Sequence, residues 1–349
     1  MPDDIRVLLA EDSATIRHYL RVIIEEHEAL QIIGEASDGE QAVEMAQRLR
    51  PDVVSMDIRM PRMDGLDATR RIMSLVPTPV VVVSGQLDDD VALSLQALEA
   101  GALAVIAKPP DRKHPTFALK RQQLLTTLRA MAGVRVVSRR ERFRQDSMQM
   151  QAVQNGAHRP STLSRRPRPE VIVIGASTGG PSALQRLLKE LPHDLPVPIV
   201  IAQHMPHEFV DGLVRWLDAA TPLQVTLAEH MQLLRPGQVL VAPATANMRL
   251  LRHGNRLAVH LETYDDPARY FLPEVDVLFA SAAAVCGENA VGVVLTGMGR
   301  DGAQGLLAMR QAGAYTIAQD EASSTVYGMP AAAVTCGAVR RTMSLLEIP

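Results

Sequence analysis

The sequence predicts an α/β protein with two doubly wound parallel-sheet domains joined by a basic flexible linker. In both halves of the chain, short apolar runs alternate with segments of helical periodicity. At 349 residues, the chain is too long for one ordinary domain. Residues 1–119 and 170–349 are acidic, whereas residues 120–169 are strongly basic. We therefore expect domains at residues 1–132 and 169–349, with a linker at residues 133–168.

Composition narrows the class of protein. Apolar residues make up 47% of the chain and charged residues 21%, which is typical of globular proteins with packed cores. Aromatic residues are only 3%, too few for a base-stacking nucleic-acid surface. No apolar run is long enough to span a bilayer, and residues 1–30 carry charges where a signal peptide needs an apolar segment. Cys286 and Cys336 are too few for a disulfide framework. We expect a cytoplasmic protein without direct membrane insertion.

The first domain contains five short strand-like runs separated by helical segments. The runs are residues 5–10, 32–36, 53–56, 80–84 and 102–107. Such β-α repeats predict a doubly wound parallel sheet, and ligands of these sheets bind beyond the carboxyl ends of the strands. A last helix over residues 119–130 precedes the arginine-rich linker, whose composition is typical of a solvated tether. The other interpretation of this linker is a basic strip that docks on an acidic partner.

Five polar side chains of this domain follow or end its predicted strands. Glu11 and Asp12 follow the first strand, Asp57 the third and Lys108 the fifth, while Ser84 ends the fourth. Carboxylates that converge at one edge repel one another unless a hard cation such as Mg²⁺ binds them. Lys108 and Ser84 suit phosphoryl oxygens, which leaves Asp57 as a nucleophile toward phosphorus. The alternative is that strand-end acids only cap helices.

These positions lie in motifs that resemble the two-component receiver domain, with its flavodoxin-like fold. The resemblance implies that Asp57 is the phosphoacceptor, that Glu11 and Asp12 hold the metal with it, and that Ser84 and Lys108 contact the phosphoryl group. Receivers often have an aromatic switch residue where this chain has Val105, so an aromatic flip is not expected. The matching stretches are Leu9-Ala-Glu-Asp12, Ser55-Met-Asp57, Met60-Pro-Arg-Met-Asp-Gly65, Val82-Val-Ser84 and Ala107-Lys-Pro109.

The second domain opens with a strand, a glycine-rich turn and a helix. Residues 171–174 are apolar, residues 175–180 read Gly-Ala-Ser-Thr-Gly-Gly, and residues 182–191 have helical spacing. The turn fits G-x-S-x-G, which exposes a serine, here Ser177, above a sheet edge beside free helix N–H groups. Such turns also bind dinucleotide phosphates. The glycine spacing does not fit G-x-G-x-x-G, which weakens that alternative.

A serine hydrolase also needs a base and a group that orients it. His204 follows an apolar strand at residues 198–202, and Asp301 follows another at residues 290–295 and precedes a helix. Parallel strands would bring both residues to the edge that carries Ser177. Asp301 could instead be a helix N-cap, a common role for aspartate. The remaining histidines of this domain are expected to face solvent: His193, His207, His230, His253 and His260.

The motifs of the second domain resemble the chemotaxis protein-glutamate methylesterase family, which also has an N-terminal receiver. They are Gly175–Gly180, Gln203-His-Met-Pro206, Ala242-Pro243, Thr296-Gly-Met-Gly-Arg-Asp-Gly302, Ala318-Gln-Asp-Glu321 and Gly328-Met-Pro330. The resemblance implies a Rossmann-like domain with Ser177 as nucleophile, His204 as base and Asp301 as orienting acid. It implies that the backbone N–H groups of Thr178 and Met298 face the oxyanion.

The resemblance also implies substrates and partners. The substrates are glutamate methyl esters and glutamines on chemoreceptor helices, the phosphodonor is a chemotaxis histidine kinase, and no cofactor is needed in the catalytic domain. Asn247 stands where the family often has histidine. We expect this departure to affect the substrate groove rather than the triad.

Three other functions remain as alternatives. A DNA-binding response regulator would need a basic helix-turn-helix, which the acidic residues 170–349 do not offer, so no DNA partner is expected. A receiver fused to an inactive esterase-like binding domain is disfavoured by Ser177, His204 and Asp301 together. A nucleotide-binding oxidoreductase is disfavoured by the glycine spacing. The tethered architecture further suggests that the receiver restricts access to Ser177 until it is phosphorylated.

Overall fold

The protein is described by a computed structural model that covers residues 4–85, 91–134, 136, 169–263 and 272–349. The chain divides into two compact units, Met1–Pro160 and Ser161–Pro349. Most of the predicted linker, including its arginines, lies outside the described residues. The boundaries at residues 132 and 169 therefore stay a prediction. No helix among the described residues has the length and apolar character needed to cross a membrane.

The first unit is built around a five-stranded parallel sheet of order β2-β1-β3-β4-β5. Its strands are β1 Ile5–Ala10, β2 Leu30–Ala36, β3 Val53–Met56, β4 Val80–Ser84 and β5 Ala104–Ala107. Its helices are α1 Ala14–Glu25, α2 Gly39–Leu49, α3 Gly65–Leu75, α4 Val91–Ala100 and α5 Phe117–Ala132. The predicted fold of this domain is confirmed.

The sheet of the first unit is buried on both faces because side chains alternate along each strand. In β1, Leu8 and Ala10 pack in one apolar cluster, whereas Val7 and Leu9 pack in the other. All four are at most 1% exposed. Every strand then ends at the same edge, which gathers the polar residues that follow β1, β3 and β5.

The second unit contains a seven-stranded parallel sheet of order β14-β13-β12-β6-β7-β9-β8. Its strands are β6 Val171–Ala176, β7 Ile199–Gln203, β8 Gln224–Leu227, β9 Gln238–Val241, β12 Ala290–Val294, β13 Tyr315–Gln319 and β14 Arg341–Met343. Its helices are α6 Gly180–Lys189, α7 His207–Ala220, α8 Val275–Cys286, α9 Ala303–Gln311 and α10 Met329–Thr335. The predicted parallel-sheet fold is confirmed here too.

A two-stranded antiparallel hairpin, which was not predicted from the sequence, completes the second unit. It consists of β10 Ala246–His253 and β11 Arg256–Thr263, paired along their whole length. The hairpin packs against α8, where the Ser281 hydroxyl accepts a hydrogen bond of 2.9 Å from the Leu250 N–H. This contact helps to place α8, whose first turn lies at the candidate active site.

Candidate functional site

The structure brings the predicted acidic residues and Lys108 together at the carboxyl edge of the first sheet. The Lys108 Nζ lies 2.7 Å from Glu11 Oε2 and 3.0 Å from Asp57 Oδ2. Carboxylate oxygens of Glu11, Asp12 and Asp57 lie within 4.8 Å of one another. Ser84 is buried at the end of β4, and its carbonyl accepts a 2.8 Å hydrogen bond from the Lys108 N–H. Glu11, Asp12, Asp57 and Lys108 therefore surround one small site, and Ser84 adjoins it through its backbone contact with Lys108.

The charges of this cluster are incompletely balanced. Burial raises the pKa of Glu11 and of Asp57, because it outweighs the stabilising ion pairs with Lys108. Burial alone would lower the pKa of Lys108, but the two carboxylates outweigh it and the pKa is raised. One ammonium group thus faces three carboxylates. An oxygen-rich, negatively charged donor set of this kind fits a magnesium ion.

Helix capping does not account for the acids after β1. The N-cap of α1 is Ser13, whose hydroxyl accepts a hydrogen bond from the Ile16 N–H. Asp12 is exposed and Glu11 is buried, and neither caps α1. Asp57 likewise does not cap α3, because Asp64 has that role. The capping alternative is therefore wrong for these residues.

Ser177 lies in a tight turn between β6 and α6. Gly179 adopts a φ of +76°, and a Cβ there would lie 2.5 Å from the Thr325 side chain, so the turn requires glycine. The Ser177 N–H donates to the Thr296 carbonyl at 3.1 Å. A Cβ at Gly297 would lie 2.8 Å from the Ser177 Cβ. The loop after β12 thus packs directly against the serine.

His204 and Asp301 meet beside this turn. They follow β7 and β12, the two strands that flank β6 in the sheet. His204 Nε2 and Asp301 Oδ2 are 2.8 Å apart, with side chains 14% and 24% exposed. Within the described part of the chain, no hydrogen bond joins the Ser177 hydroxyl to His204. Catalytic hydrogen bonds are often long when no substrate is bound, so the absence of a Ser177–His204 hydrogen bond is compatible with a triad.

Asp301 is held by the first turn of α8. Its carboxylate accepts hydrogen bonds from the N–H groups of Val275 at 2.7 Å, Asp276 at 2.9 Å and Gly302 at 2.8 Å. Burial would raise the pKa of Asp301, but the hydrogen bonds from His204 and from the Asp276 and Val275 N–H groups lower it. The N-cap of α9 is Gly302, so the N-cap alternative for Asp301 is wrong. The acid is ionised and fixed in orientation.

Two glycines allow α8 to approach this closely. A Cβ at Gly175, in β6, would lie 2.1 Å from the Val275 side chain. A Cβ at Gly305, in α9, would lie 2.6 Å from the Asp276 carbonyl. Without side chains at these positions, the N-terminus of α8 reaches the sheet edge and presents its N–H groups to Asp301.

The two residues whose N–H groups are predicted to face an oxyanion lie in the two loops that pack together at Ser177. Thr178 is half-buried, and its carbonyl accepts a 3.0 Å hydrogen bond from the Thr296 hydroxyl. Met298 is 46% exposed and belongs to the loop that packs on Ser177. Neither the Thr178 N–H nor the Met298 N–H donates a hydrogen bond to another described residue. Both are thus available to a ligand.

The histidines outside this site differ in exposure. His193, His207, His230 and His253 are exposed, as predicted. His260 is half-buried, because its ring packs edge-on against that of His230 at a centroid distance of 4.7 Å. Among the described residues, none of the five is hydrogen-bonded to Ser177 or Asp301.

Asn247 has a different place from the one expected. It is fully buried, so it does not line an open substrate groove. Its amide oxygen accepts from the Glu274 N–H at 2.7 Å, and its Nδ2 donates to Glu274 Oε1 at 3.1 Å. Glu274 directly precedes the residues that bind Asp301. Asn247 therefore acts on the segment that positions the acid.

This arrangement predicts a cost in stability when Asn247 is replaced by alanine. The Glu274 N–H would lose its acceptor, and we expect the free energy of unfolding to fall by about 1–3 kcal/mol. Thermal denaturation of the full chain measures the change. Asn289→Ala is the matched control, because Asn289 is half-buried and its side chain donates a single long hydrogen bond within the described part of the chain, to Glu170 at 3.3 Å. Equal losses in the two variants would contradict the prediction.

Two buried glutamines near this edge stand in the motifs quoted above, but their structural roles were not predicted. Gln203 ends β7, and its amide donates to backbone carbonyls of both Ser177 and His204. Gln319 ends β13, accepts from the Thr296 N–H at 2.8 Å and donates to the Ser323 carbonyl at 2.8 Å. The available signal was a polar residue at the last position of an otherwise apolar strand.

Comparison with known proteins agrees with this geometry. Residues 172–349 match the family described as CheB methylesterase, and residues 7–119 match the response regulator receiver domain. The catalytic domain of the Thermotoga maritima CheB methylesterase is 33% identical, with a TM-score of 0.50, over 52% of this chain and 96% of that one.

Two curated proteins are similar over almost their whole length, and both are named protein-glutamate methylesterase/protein-glutamine glutaminase 4. The protein from Myxococcus xanthus is 44% identical over 99% of this chain and 95% of its own. The protein from Geobacter metallireducens is 41% identical over 97% of this chain and 95% of its own. The chain therefore belongs to the CheB methylesterase family and carries a response regulator receiver domain before its catalytic domain.

Proposed function

We propose that Ser177, His204 and Asp301 form a catalytic triad that hydrolyses methyl esters of glutamate side chains on chemoreceptors. The observation that carries this proposal is their convergence at the carboxyl ends of three adjacent parallel strands, with the imidazole hydrogen-bonded to the half-buried carboxylate at 2.8 Å. The names of the relatives support the choice of substrate.

The hydrogen bond to Asp301 determines which imidazole nitrogen acts as the base. An ionised carboxylate only accepts, so the Nε2 of His204 carries the hydrogen and Nδ1 keeps its lone pair. Nδ1 takes the proton of the Ser177 hydroxyl as the oxygen attacks the γ-carbonyl of the ester. The imidazolium then returns a proton to the departing methoxide, and methanol leaves.

Water completes the reaction by the same route. His204 removes a proton from water, the hydroxide attacks the glutamyl ester of Ser177, and the glutamate carboxylate is released as the serine regains its proton. A glutamine side chain follows the same steps with ammonia as the leaving group. The Thr178 and Met298 N–H groups stabilise the oxyanion at each tetrahedral stage.

In the receiver, Asp57 is the proposed site of phosphorylation. Its carboxylate would attack the phosphorus of a phosphohistidine on a chemotaxis kinase, forming an aspartyl phosphate and freeing the histidine. Glu11, Asp12 and Asp57 would hold a magnesium ion, which supplies positive charge toward the phosphoryl oxygens. Lys108 lies 3.0 Å from Asp57, Ser84 ends the strand that neighbours β3, and both would bind those oxygens.

Asp57→Asn is expected to abolish labelling by acetyl phosphate in the presence of Mg²⁺. It should also remove the activation of methanol release by the phosphodonor, which we expect to be about 5–150-fold for a coupling of about 1–3 kcal/mol. Radiolabel on the purified protein and a methanol assay measure the two effects.

Asp52→Asn is the matched control for this experiment. Asp52 precedes β3, at the opposite edge of the sheet, and accepts a hydrogen bond from the Arg6 N–H. This variant should be labelled and activated like the wild type. Undiminished label on the Asp57 variant would show that the phosphorylation site lies elsewhere.

A further inference from the structure

Gln203 connects the two loops that carry the proposed nucleophile and base. It is the last residue of β7 and is only 2% exposed. Its Nε2 donates to the Ser177 carbonyl at 2.9 Å and to the His204 carbonyl at 2.8 Å. One buried amide therefore joins the backbone of both loops.

The orientation of this amide is determined by its partners. Both are backbone carbonyls, which only accept, so the NH₂ group must face them. The Oε1 atom then points the other way, where it is buried and accepts no hydrogen bond from a described residue. A Cβ at Gly180 would lie 2.0 Å from this oxygen, so the glycine leaves room for it.

A buried acceptor without a donor is unfavourable for stability. What distinguishes this glutamine is that the NH₂ group of the same amide donates two hydrogen bonds to backbone carbonyls. The bonds to Ser177 and His204 indicate what this residue does.

The Ser177 carbonyl belongs to the peptide group whose N–H is that of Thr178. Two donors hold the carbonyl, the Gln203 amide and the Gly180 N–H at 2.8 Å. Because a trans peptide is planar, its N–H points opposite to its carbonyl. Holding the Ser177 oxygen on one side therefore aims the Thr178 N–H toward the other side.

We propose that Gln203 is a positioning residue that aims the Thr178 N–H at the oxyanion and keeps this peptide in register with the loop of His204. This inference rests on the proposed function, in which the Thr178 N–H stabilises the oxyanion. A fixed donor costs no reorganisation in the transition state, so its contribution appears in kcat. Among the described residues, Gln203 makes no hydrogen bond to the His204 ring, so its replacement should leave the base unchanged.

Gln203→Met tests this role, because methionine nearly keeps the volume and removes both hydrogen bonds. We expect kcat for methanol release to fall about tenfold to a hundredfold, less than for loss of a whole oxyanion donor, because the Gly180 N–H still holds the carbonyl. KM should stay within about twofold, and the pH midpoint of kcat/KM should not move. All measurements use the full chain and methylated receptor.

Gln238→Met is the matched control. Gln238 is also a buried glutamine whose Oε1 has no partner among the described residues, but it begins β9 at the amino edge of the same sheet. This variant should keep the wild-type kcat. Gln203→Glu is the second variant if the methionine protein fails to fold. Burial between two carbonyls keeps the acid protonated, so it donates one hydrogen bond and should give an intermediate kcat.

The outcomes separate this inference from the proposed function. If Gln203→Met and Gln203→Glu turn over like Gln238→Met, while Ser177→Ala is inactive, the positioning role is wrong and the triad stands. A shifted pH midpoint would also overturn it, because Gln203 would then act through the base. If Ser177→Ala keeps wild-type turnover, the proposed function itself fails.

Discussion

Replacement of Ser177 by alanine is expected to lower methanol release from methylated receptor by about 10³–10⁶-fold while the protein stays folded. The variant lacks the Ser177 hydroxyl oxygen, which is the protein atom proposed to attack the carbonyl carbon of the ester. The Thr178 and Met298 N–H groups remain, so slow attack by water should persist above the uncatalysed rate. The Ser177 side chain makes no hydrogen bond to a described residue, so its loss should hardly change stability.

Ser182→Ala is the matched control for this variant. Ser182 lies in the first turn of α6, only just beyond the same glycine-rich turn, but belongs to the helix rather than to the turn that exposes Ser177. Circular dichroism and thermal denaturation verify that both proteins are folded. A folded Ser177 variant with wild-type turnover would refute the assignment of the nucleophile. If the wild type and the variant were both inactive, an esterase-like binding domain would be favoured instead.

Much of the architecture could be predicted because its signals are local. The runs at residues 5–10, 53–56 and 80–84 have the observed bounds of β1, β3 and β4, because each is a short apolar run between polar segments. The fifth run begins at Ala104 rather than at residue 102, since the chain first leaves the turn at Gly101, where φ is +111°. Strand ends in a parallel sheet share one edge, so the order of elements also predicted which side chains would meet.

The groups that hold the site residues in position could not be predicted in the same way. Asp301 is bound by N–H groups of Val275 and Asp276, and every residue except proline has such a group. Their position depends on α8 packing against Gly175 and on the hairpin of β10 and β11. These are contacts between residues distant in sequence, for which one sequence provides no periodic signal.

Asn247 was recognised in the sequence as a departure from the family motif, but its location in the structure was not predicted correctly. Its departure from the family pattern was visible in the sequence, but its burial and its two hydrogen bonds to Glu274 depend on the tertiary fold. Motifs therefore identified the residues that could react, whereas only the structure identified those that hold them.

Asp301→Asn should lower turnover by about 10⁴-fold, the effect expected when a triad imidazole is held in the wrong tautomer. In the wild type, one carboxylate oxygen accepts from His204 and Val275, and the other accepts from Asp276 and Gly302. An asparagine has only one accepting oxygen, so its NH₂ group must face one of these pairs.

The two pairs are not equivalent, and this decides the outcome. If the NH₂ group faced Asp276 and Gly302, it would meet two backbone N–H donors that cannot change. If it faces His204 and Val275, only the Val275 N–H lacks an acceptor, because the imidazole can move its hydrogen from Nε2 to Nδ1 and accept instead. The second arrangement is favoured, and it leaves Nδ1 unable to take the proton of Ser177.

Nitrogen NMR of the His204 ring measures this tautomer directly, alongside methanol release. Asp218→Asn is the matched control, because Asp218 also accepts a backbone N–H, from Val225 at 2.8 Å, but at the start of β8 on the amino edge of the sheet. It should keep wild-type turnover and the wild-type tautomer. An Asp301 variant that retains both would contradict the assignment of this residue as the orienting acid.

The pH dependence of stability provides an independent check on Asp301. Its pKa in the folded protein is lowered, since the hydrogen bonds from His204 and the α8 amides outweigh burial. A depressed folded pKa stabilises the protein at pH values above the ordinary carboxyl value of 3.8, and this contribution is lost as the pH falls through the folded pKa. The wild type should therefore be more stable than Asp301→Asn at neutral pH, and the difference should shrink below about pH 3.8. A difference that stays constant through this range would mean that the folded protein does not favour the ionised carboxylate on which the orientation of His204 depends.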